Sequence, residues 1–358
     1  MRTFNFSAGP SALSTEILTD IQTEFLDWQN LGASVIEFSH RSTPIMALAE
    51  QLHCDLRDLL NIPADYEIIL SSGGASAHAA FLPLNLLADK GRADYIVTGA
   101  WSEKAYHESL RYGTMHLAAS GHAQHYQTIP DVSEWQLSTD AAYCHLASNE
   151  TIHGVQFKTF PNTPSPLIVD MSSDILSKPI DINQFGVIYA SAQKNIGPAG
   201  LTLVIIHRDL LGKAHPYTPT VFNYTAQVAA KSMANTPPTF NWYVTAKVIE
   251  RLKNHGGLSA MALLNQRKAQ LLYEYLDNST VFSNTVDHRY RSDITIPFFL
   301  TTPDLTNDFL AKTLEQGLMG LKGHVLTGGI RACLYNAVPF EAVQALVNCM
   351  REFEQQNT

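Results

Sequence analysis

Apolar positions recur along this chain with two different periods. Over residues 14–31, Ile17, Leu18, Ile21, Phe25 and Trp28 fall at the three-to-four spacing of one helix face, and Gly32 follows as a stop. A second helical stretch opens at Thr43-Pro44, an N-cap followed by a proline whose missing N–H is harmless in a first turn. It runs to about Leu60, before Asn61 and Pro63. The next apolar runs are short and unbroken, at 67–70, 94–97, 142–146, 167–169, 187–190 and 201–206, and read as strands buried on both faces. Segments with helical period or turn residues separate most of them. The expected fold class is therefore α/β, a mainly parallel sheet with helices on both sides.

Past Ser259 the rhythm changes to a long helix (259–276), a strand (294–300), a helix (305–315), a strand (330–335) and a last helix (340–353). This reads as a smaller α+β domain, against which the N-terminal segment around Pro10 packs. The expected organisation is a large domain over 15–258 and a small one made of 1–14 and 259–358.

With 358 residues and 45% hydrophobic content the chain is long enough to bury a full core. The net charge of −9 and the lack of a dense Lys/Arg run argue against nucleic acid as a partner. No stretch approaches the ~20 apolar residues of a membrane span, and the first residues lack a signal pattern, so a soluble, cytoplasmic protein is expected. Cys54, Cys144, Cys333 and Cys349 are scattered without CxxC spacing and suit a reducing compartment as small core residues. The 14 histidines show no metal-ligand spacing, so no metal is expected.

Ligands of such sheets sit at the carboxyl ends of the strands, and four chemically interesting features fall there: Gly73-Gly74, Trp101, Asp170 and Lys194. Lys194 lies in the polar turn SAQKNIGPAG (191–200), directly after an apolar run, and is a candidate Schiff-base nucleophile. Asp170 ends another apolar run 24 residues earlier. A lysine to hold an aldehyde and a carboxylate to keep a pyridine nitrogen protonated are the pair that pyridoxal phosphate requires. The plain alternatives are a surface lysine in a turn and an aspartate capping the turn that follows it. Gly73-Gly74-Ala75-Ser76 leads from a strand into an apolar helix, whose free first-turn amides suit a phosphate.

Several motifs in order, NFSAGP (5–10), EFSHR (37–41), SNETIHG (148–154), SAQKNIGPAG, NTPPTF (235–240) and GGIRACLYNAVP (328–339), together resemble the phosphoserine aminotransferase family, fold-type I and class V, nearly end to end. The resemblance implies a large domain with a seven-stranded-type sheet and a smaller α+β domain, with pyridoxal 5'-phosphate as cofactor. Lys194 would carry the cofactor and move the substrate proton, and Asp170 would face the pyridine nitrogen. Ala75, Ser76 and Gln193 would contact the cofactor phosphate, Trp101 would stack on the ring, and Thr151 would bond the phenolic oxygen. Asn235 and Thr236 would reach the phosphate of the neighbouring subunit, making the active sites shared in a homodimer. Arg331 would grip the substrate α-carboxylate, His40 and Arg41 its distal phosphate, with His324 from across the dimer.

The activity so implied is transamination of 3-phosphohydroxypyruvate with glutamate to give phosphoserine and 2-oxoglutarate, for serine biosynthesis and, as in related members, pyridoxine biosynthesis. Two positions depart from the pattern. Many members carry arginine where this chain has Ser76, and another where it has Val325. The alternatives are a class V aminotransferase acting on a different, non-phosphorylated acid, a desulfurase, which needs an exposed mobile cysteine, and a non-catalytic relative that keeps only the fold.

Overall fold

The computed structural model describes residues 2–87 and 90–357. The chain opens with β1 (Phe4–Asn5) and α1 (Thr15–Glu24), then makes two turns of 3-10 helix before α2 (Thr43–Leu60). Ile45, Ala49, Leu52, Leu56 and Leu60 form the buried stripe of α2. Truncating Leu52 or Leu56 to alanine would cost ~2–5 kcal/mol each. Asn61 ends the helix in the left-handed conformation, φ 49°, returning its N–H to the carbonyls of Arg57 and Asp58.

Strands and helices then alternate: β2 (Tyr66–Ser72), α3 (Ala75–Leu86), β3 (Arg92–Val97), α4 (Ala100–Ser109), β4 (Thr114–Ser120) and β5 (Cys144–Ala147). A two-stranded piece, β6 (Asn149–Glu150) and β7 (Val155–Gln156), precedes β8 (Leu167–Asp170), β9 (Val187–Ser191) and β10 (Leu201–His207). The seven long strands make one sheet in the order β2-β10-β9-β8-β5-β3-β4. Only β10 runs against its neighbours, so the mainly parallel α/β expectation is borne out. One face packs under α2 with Trp242 and Ile249, and the other under Leu82 and Leu86 of α3 and Ala105 of α4.

The chain continues through α5 (Tyr224–Ala229), α6 (Thr239–Asn254) and α7 (Gly257–Asn278), then β11 (Phe282–Ser283), β12 (Thr295–Leu300), α8 (Thr306–Glu315), β13 (Leu318–Met319), β14 (Ile330–Cys333) and α9 (Phe340–Asn357). Strands β11, β12 and β14 form an antiparallel sheet with its own core, in which Phe282, Phe298, Phe309 and Phe353 meet edge to face. β1 pairs with β13, Phe4 opposite Leu318, and Phe6 enters the same core. Residues 4–6 therefore pack there, whereas Gly9 and Ser11, on either side of Pro10, lie against Gln193 and Lys194 instead of this domain.

Three sequence expectations need correction. The helix over 14–31 stops at Glu24, because Gln29 and Asn30 take positive φ (55° and 59°) and turn the chain so that Trp28 packs on Phe38 and Tyr243. Phe25, assigned to the buried face, is 41% exposed. Strand β4 was not expected: it is an edge strand whose Thr114 and Leu117 face out, and its mixed composition gives no strand signal. Cys54 is exposed rather than a core residue, since it lies on α2 opposite the buried stripe, whereas Cys144, Cys333 and Cys349 are buried. Among the described residues no helix is long and apolar enough to cross a membrane.

Candidate active site

Six parallel strands deliver their carboxyl ends to one edge of the sheet, and the candidate residues gather there. Asp170 is the last residue of β8, paired with Tyr189 of β9 and Ala147 of β5. Its Oδ1 accepts from the N–H of Ser172 at 2.8 Å, the capping bond that an aspartate after a strand makes. The Ser172 side chain also favours the charged form of the carboxyl. Burial pushes the Asp170 carboxyl above its usual range, and the charge of Lys194 opposes that rise.

Lys194 follows β9 by three residues and is held from below. Ser11 donates its N–H to the Gln193 carbonyl at 2.9 Å and its hydroxyl to that of Lys194 at 2.5 Å. Gly9, at φ +137°, lies against the Lys194 stem, where a side chain would be strained. Burial lowers the Lys194 amine from its usual value, with Asp170 opposing as the largest nearby charge. The two form no direct ion pair within 4 Å, so each feels the other's charge across a gap. Behind the lysine, Asn195 donates to the carbonyls of Ser173 and Ile175 and accepts from the N–H of Asn336, past the end of β14.

Trp101 stands beside Lys194, whose Nζ is 5.6 Å from the centre of the indole ring. The indole Nε1 donates to Thr151 Oγ1 at 2.8 Å, and Arg331 on β14 donates from Nη1 to the Thr151 carbonyl at 3.1 Å. Lysine, carboxylate, indole, hydroxyl and guanidinium, brought from positions 101 to 331, are thus linked at the carboxyl edge of the sheet, the candidate cleft.

Glu150 was missed by sequence reasoning, although it sits inside the quoted motif SNETIHG. It is fully buried at the start of α4, accepting from the N–H of Trp101 (3.0 Å), the N–H of Ser102 (2.8 Å) and the Ser102 hydroxyl (2.6 Å). Burial nevertheless raises its carboxyl above the usual range. A Cβ at Gly99 would come within 2.5 Å of Glu150, so only glycine lets the carboxylate cap this helix. Ser191, also missed, accepts the Ala75 N–H at 2.6 Å through its hydroxyl, so β9 fixes the start of α3. That leaves the Ser76 N–H without an acceptor among the described residues, as first-turn amides are.

Other expected residues stand apart. Asn235 accepts from Gln227 at 3.2 Å in the segment before α6, and neither it nor Thr236 bonds to the cleft residues. His40 is half-buried and Arg41 exposed just ahead of α2, also without a bond to the cleft. His324 lies in a loop before β14. Burial and then the charge of Arg331 of the same chain lower its imidazole from its usual value. Val325, next to it, is 91% exposed.

A family model, aminotransferase class-V, matches residues 3–346, and the chain belongs to this family. A phosphoserine aminotransferase of Ectopseudomonas mendocina (strain ymp) is 51% identical over 357 residues, covering 99% of each chain. The solved structure of phosphoserine aminotransferase from Bacillus circulans subsp. alkalophilus is 43% identical, with a TM-score of 0.97 over 100% of this chain and 99% of that one. The PLP-bound phosphoserine aminotransferase of Trichomonas vaginalis is 39% identical, with a TM-score of 0.93 over 98% and 100%. The resemblance carried by the motifs is borne out, as are the enzyme class and the pyridoxal phosphate cofactor.

Proposed function

We propose that this chain catalyses transamination between glutamate and 3-phosphohydroxypyruvate, giving 2-oxoglutarate and phosphoserine, a step of serine biosynthesis. The observation that carries the site assignment is that Lys194 and Asp170 feel each other's charge without forming a direct ion pair, with the Trp101 indole beside the amine. Asp170 and Lys194 would hold a pyridine ring carrying an aldehyde, the carboxylate serving its nitrogen and the amine its aldehyde.

Bound pyridoxal phosphate supplies a carbonyl carbon for the amino group and a ring that accepts the electrons left when the substrate Cα–H bond breaks. Asp170 holds the proton on the ring nitrogen, and its charge is stabilised there by the Ser172 N–H. Lys194, whose amine burial lowers from its usual value, would take the Cα proton and deliver it on the other side of the exchange. Thr151 accepts from Trp101, which leaves its hydroxyl proton free, and it would donate that proton to the cofactor's phenolic oxygen. The amide and hydroxyl of Ser76 would receive the phosphate, with Ala75 and Gln193 beside it.

Arg331 binds the substrate α-carboxylate as a planar fork, which fixes the direction of the Cα–H bond. His40 and Arg41 bind the distal anion. A phosphate and a γ-carboxylate are both anionic at that position, so one cationic pocket serves both substrates. The relatives' full-length identity favours this reading over a non-phosphorylated acid, and the same pocket extends it to a phosphorylated hydroxythreonine of pyridoxine synthesis.

The working form is a homodimer with shared sites, placing Asn235, Thr236 and His324 of one protomer at the cleft of the other. Leu26, Ile36, Val325 and Leu326, 83%, 52%, 91% and 68% exposed, support this, since a lone chain leaves them in water. Sedimentation at micromolar concentration reads the dimer directly, and a monomer with full activity would remove the shared-site reading.

The decisive test of the reaction is Lys194→Ala. The variant should lose the visible absorption of the bound cofactor and all turnover of glutamate with 3-phosphohydroxypyruvate. Retained turnover would refute the assignment.

A further inference from the structure

Helices α3 and α4 lie side by side at the mouth of the cleft, and one lysine spans them. Lys104, on α4, donates from Nζ to Ser76 Oγ, the second residue of α3, at 3.0 Å. The same ammonium is 5.9 Å from the centre of the Trp101 ring, one turn back on its own helix. Two amines therefore flank one indole, Lys194 and Lys104.

Lys104 is exposed, yet among the described residues no carboxylate pairs with it within 4 Å, although acidic residues outnumber basic ones by 33 to 24. An exposed lysine without an ion-pair partner ordinarily keeps its rotamer freedom in water. Here the side chain is seated on a hydroxyl at the end of a helix where the dipole already favours an anion. By accepting from Lys104, the Ser76 oxygen leaves its own proton to donate, so ammonium, hydroxyl and the open Ser76 amide present donors to one place.

We propose that Lys104 is a phosphate-binding residue of this enzyme, supplying from α4 the cation that position 76 lacks in this chain. The inference rests on the proposed function for the source of the anion, which is the phosphate of the cofactor. A substrate's distal phosphate has the same chemistry, and the experiment separates the two.

Lys104→Met and Lys104→Arg are made in the intact enzyme, and cofactor retention is followed by visible absorbance during dilution at low and high salt. The methionine variant should bind pyridoxal phosphate about tenfold more weakly, as loss of one charge-assisted bond implies, with a shallower salt dependence. Arginine should restore most of it, which a merely structural role would not require. If retention is unchanged while KM for phosphoserine rises about tenfold and KM for glutamate does not, the phosphate bound is the substrate's. The proposal is overturned if neither cofactor retention nor the phosphoserine KM moves by more than twofold. Failure of the underlying reading looks different: the parent protein would then show no visible band at all. In that case thermal stabilisation of parent and Lys104→Met by inorganic phosphate still decides whether Lys104 binds phosphate, equal stabilisation counting against it.

Discussion

The indole nitrogen of Trp101 and the hydroxyl of Thr151 are joined by a 2.8 Å hydrogen bond. An indole N–H only donates, so Thr151 must accept, and its proton is free to point elsewhere. Thr151→Val keeps the shape and removes both functions. The expected result is a kcat for phosphoserine lower by about 10- to 100-fold, from loss of one bond to a charged oxygen worth ~1.5–3 kcal/mol, with a shifted visible band. An unchanged spectrum would show that the hydroxyl does not face the cofactor.

Gly99 and Glu150 form a second linked pair, glycine making room for the carboxylate that caps α4. Gly99→Ala pushes Glu150 away from the N–H groups of Trp101 and Ser102. Overpacking of this kind costs ~1–3 kcal/mol. The variant should melt several degrees lower and hold its cofactor less tightly, because Trp101 is positioned by the same cap. Thermal melts with and without added pyridoxal phosphate measure both.

Lys268 is fully buried on α7 and donates to three carbonyls, those of Leu334 (2.8 Å), Tyr335 (2.9 Å) and Val338 (3.1 Å). Burial pushes its ammonium down to about 7, while the three acceptors, one for each proton, work to keep the charge. Lys268→Met strands those carbonyls in the turn that follows the Arg331 strand. Unsatisfied buried groups cost ~1–3 kcal/mol each, so denaturant midpoints should fall clearly. A substituted protein as stable as the parent would show that the turn finds other donors.

His78 and His145 are fully buried, bonded to the hydroxyls of Tyr224 (2.8 Å) and Tyr189 (2.9 Å), and burial depresses both imidazoles from 6.5 to about 3. Between those pH values the unfolded chain takes up protons that the folded one refuses. Stability contributed by this pair is therefore complete above pH 6.5 and is lost as pH falls toward about 3. Each histidine adds a slope of about 1.4 kcal/mol per pH unit in that window. Urea unfolding at a series of pH values reads the slope, and a double His→Gln variant that still folds should flatten it.

Much of this protein was legible in its sequence because the information is local. Strands β2, β8, β9 and β10 are buried on both faces, so they appear as unbroken apolar runs, and α2 carries its stripe at helical spacing with Asn61 as a stop. Lys194 and Asp170 could be singled out because each ends such a run, where parallel sheets place ligands. Strand β4 escaped notice because an edge strand, half in water, is under no pressure to be apolar. The end of α1 escaped because Trp28 keeps the helical spacing while packing through a left-handed turn.

What tertiary structure alone decided are the pairings between distant elements. Gly99 is an unremarkable glycine until Glu150 arrives from another strand, and Lys104 is one surface lysine among many until α3 brings Ser76 to it. Backbone preference and burial are set within a few residues of chain and leave a periodic trace in it. The balance of charges and hydrogen bonds across a cleft depends on which side chains the packing brings within about 3 Å, and no local pattern records that.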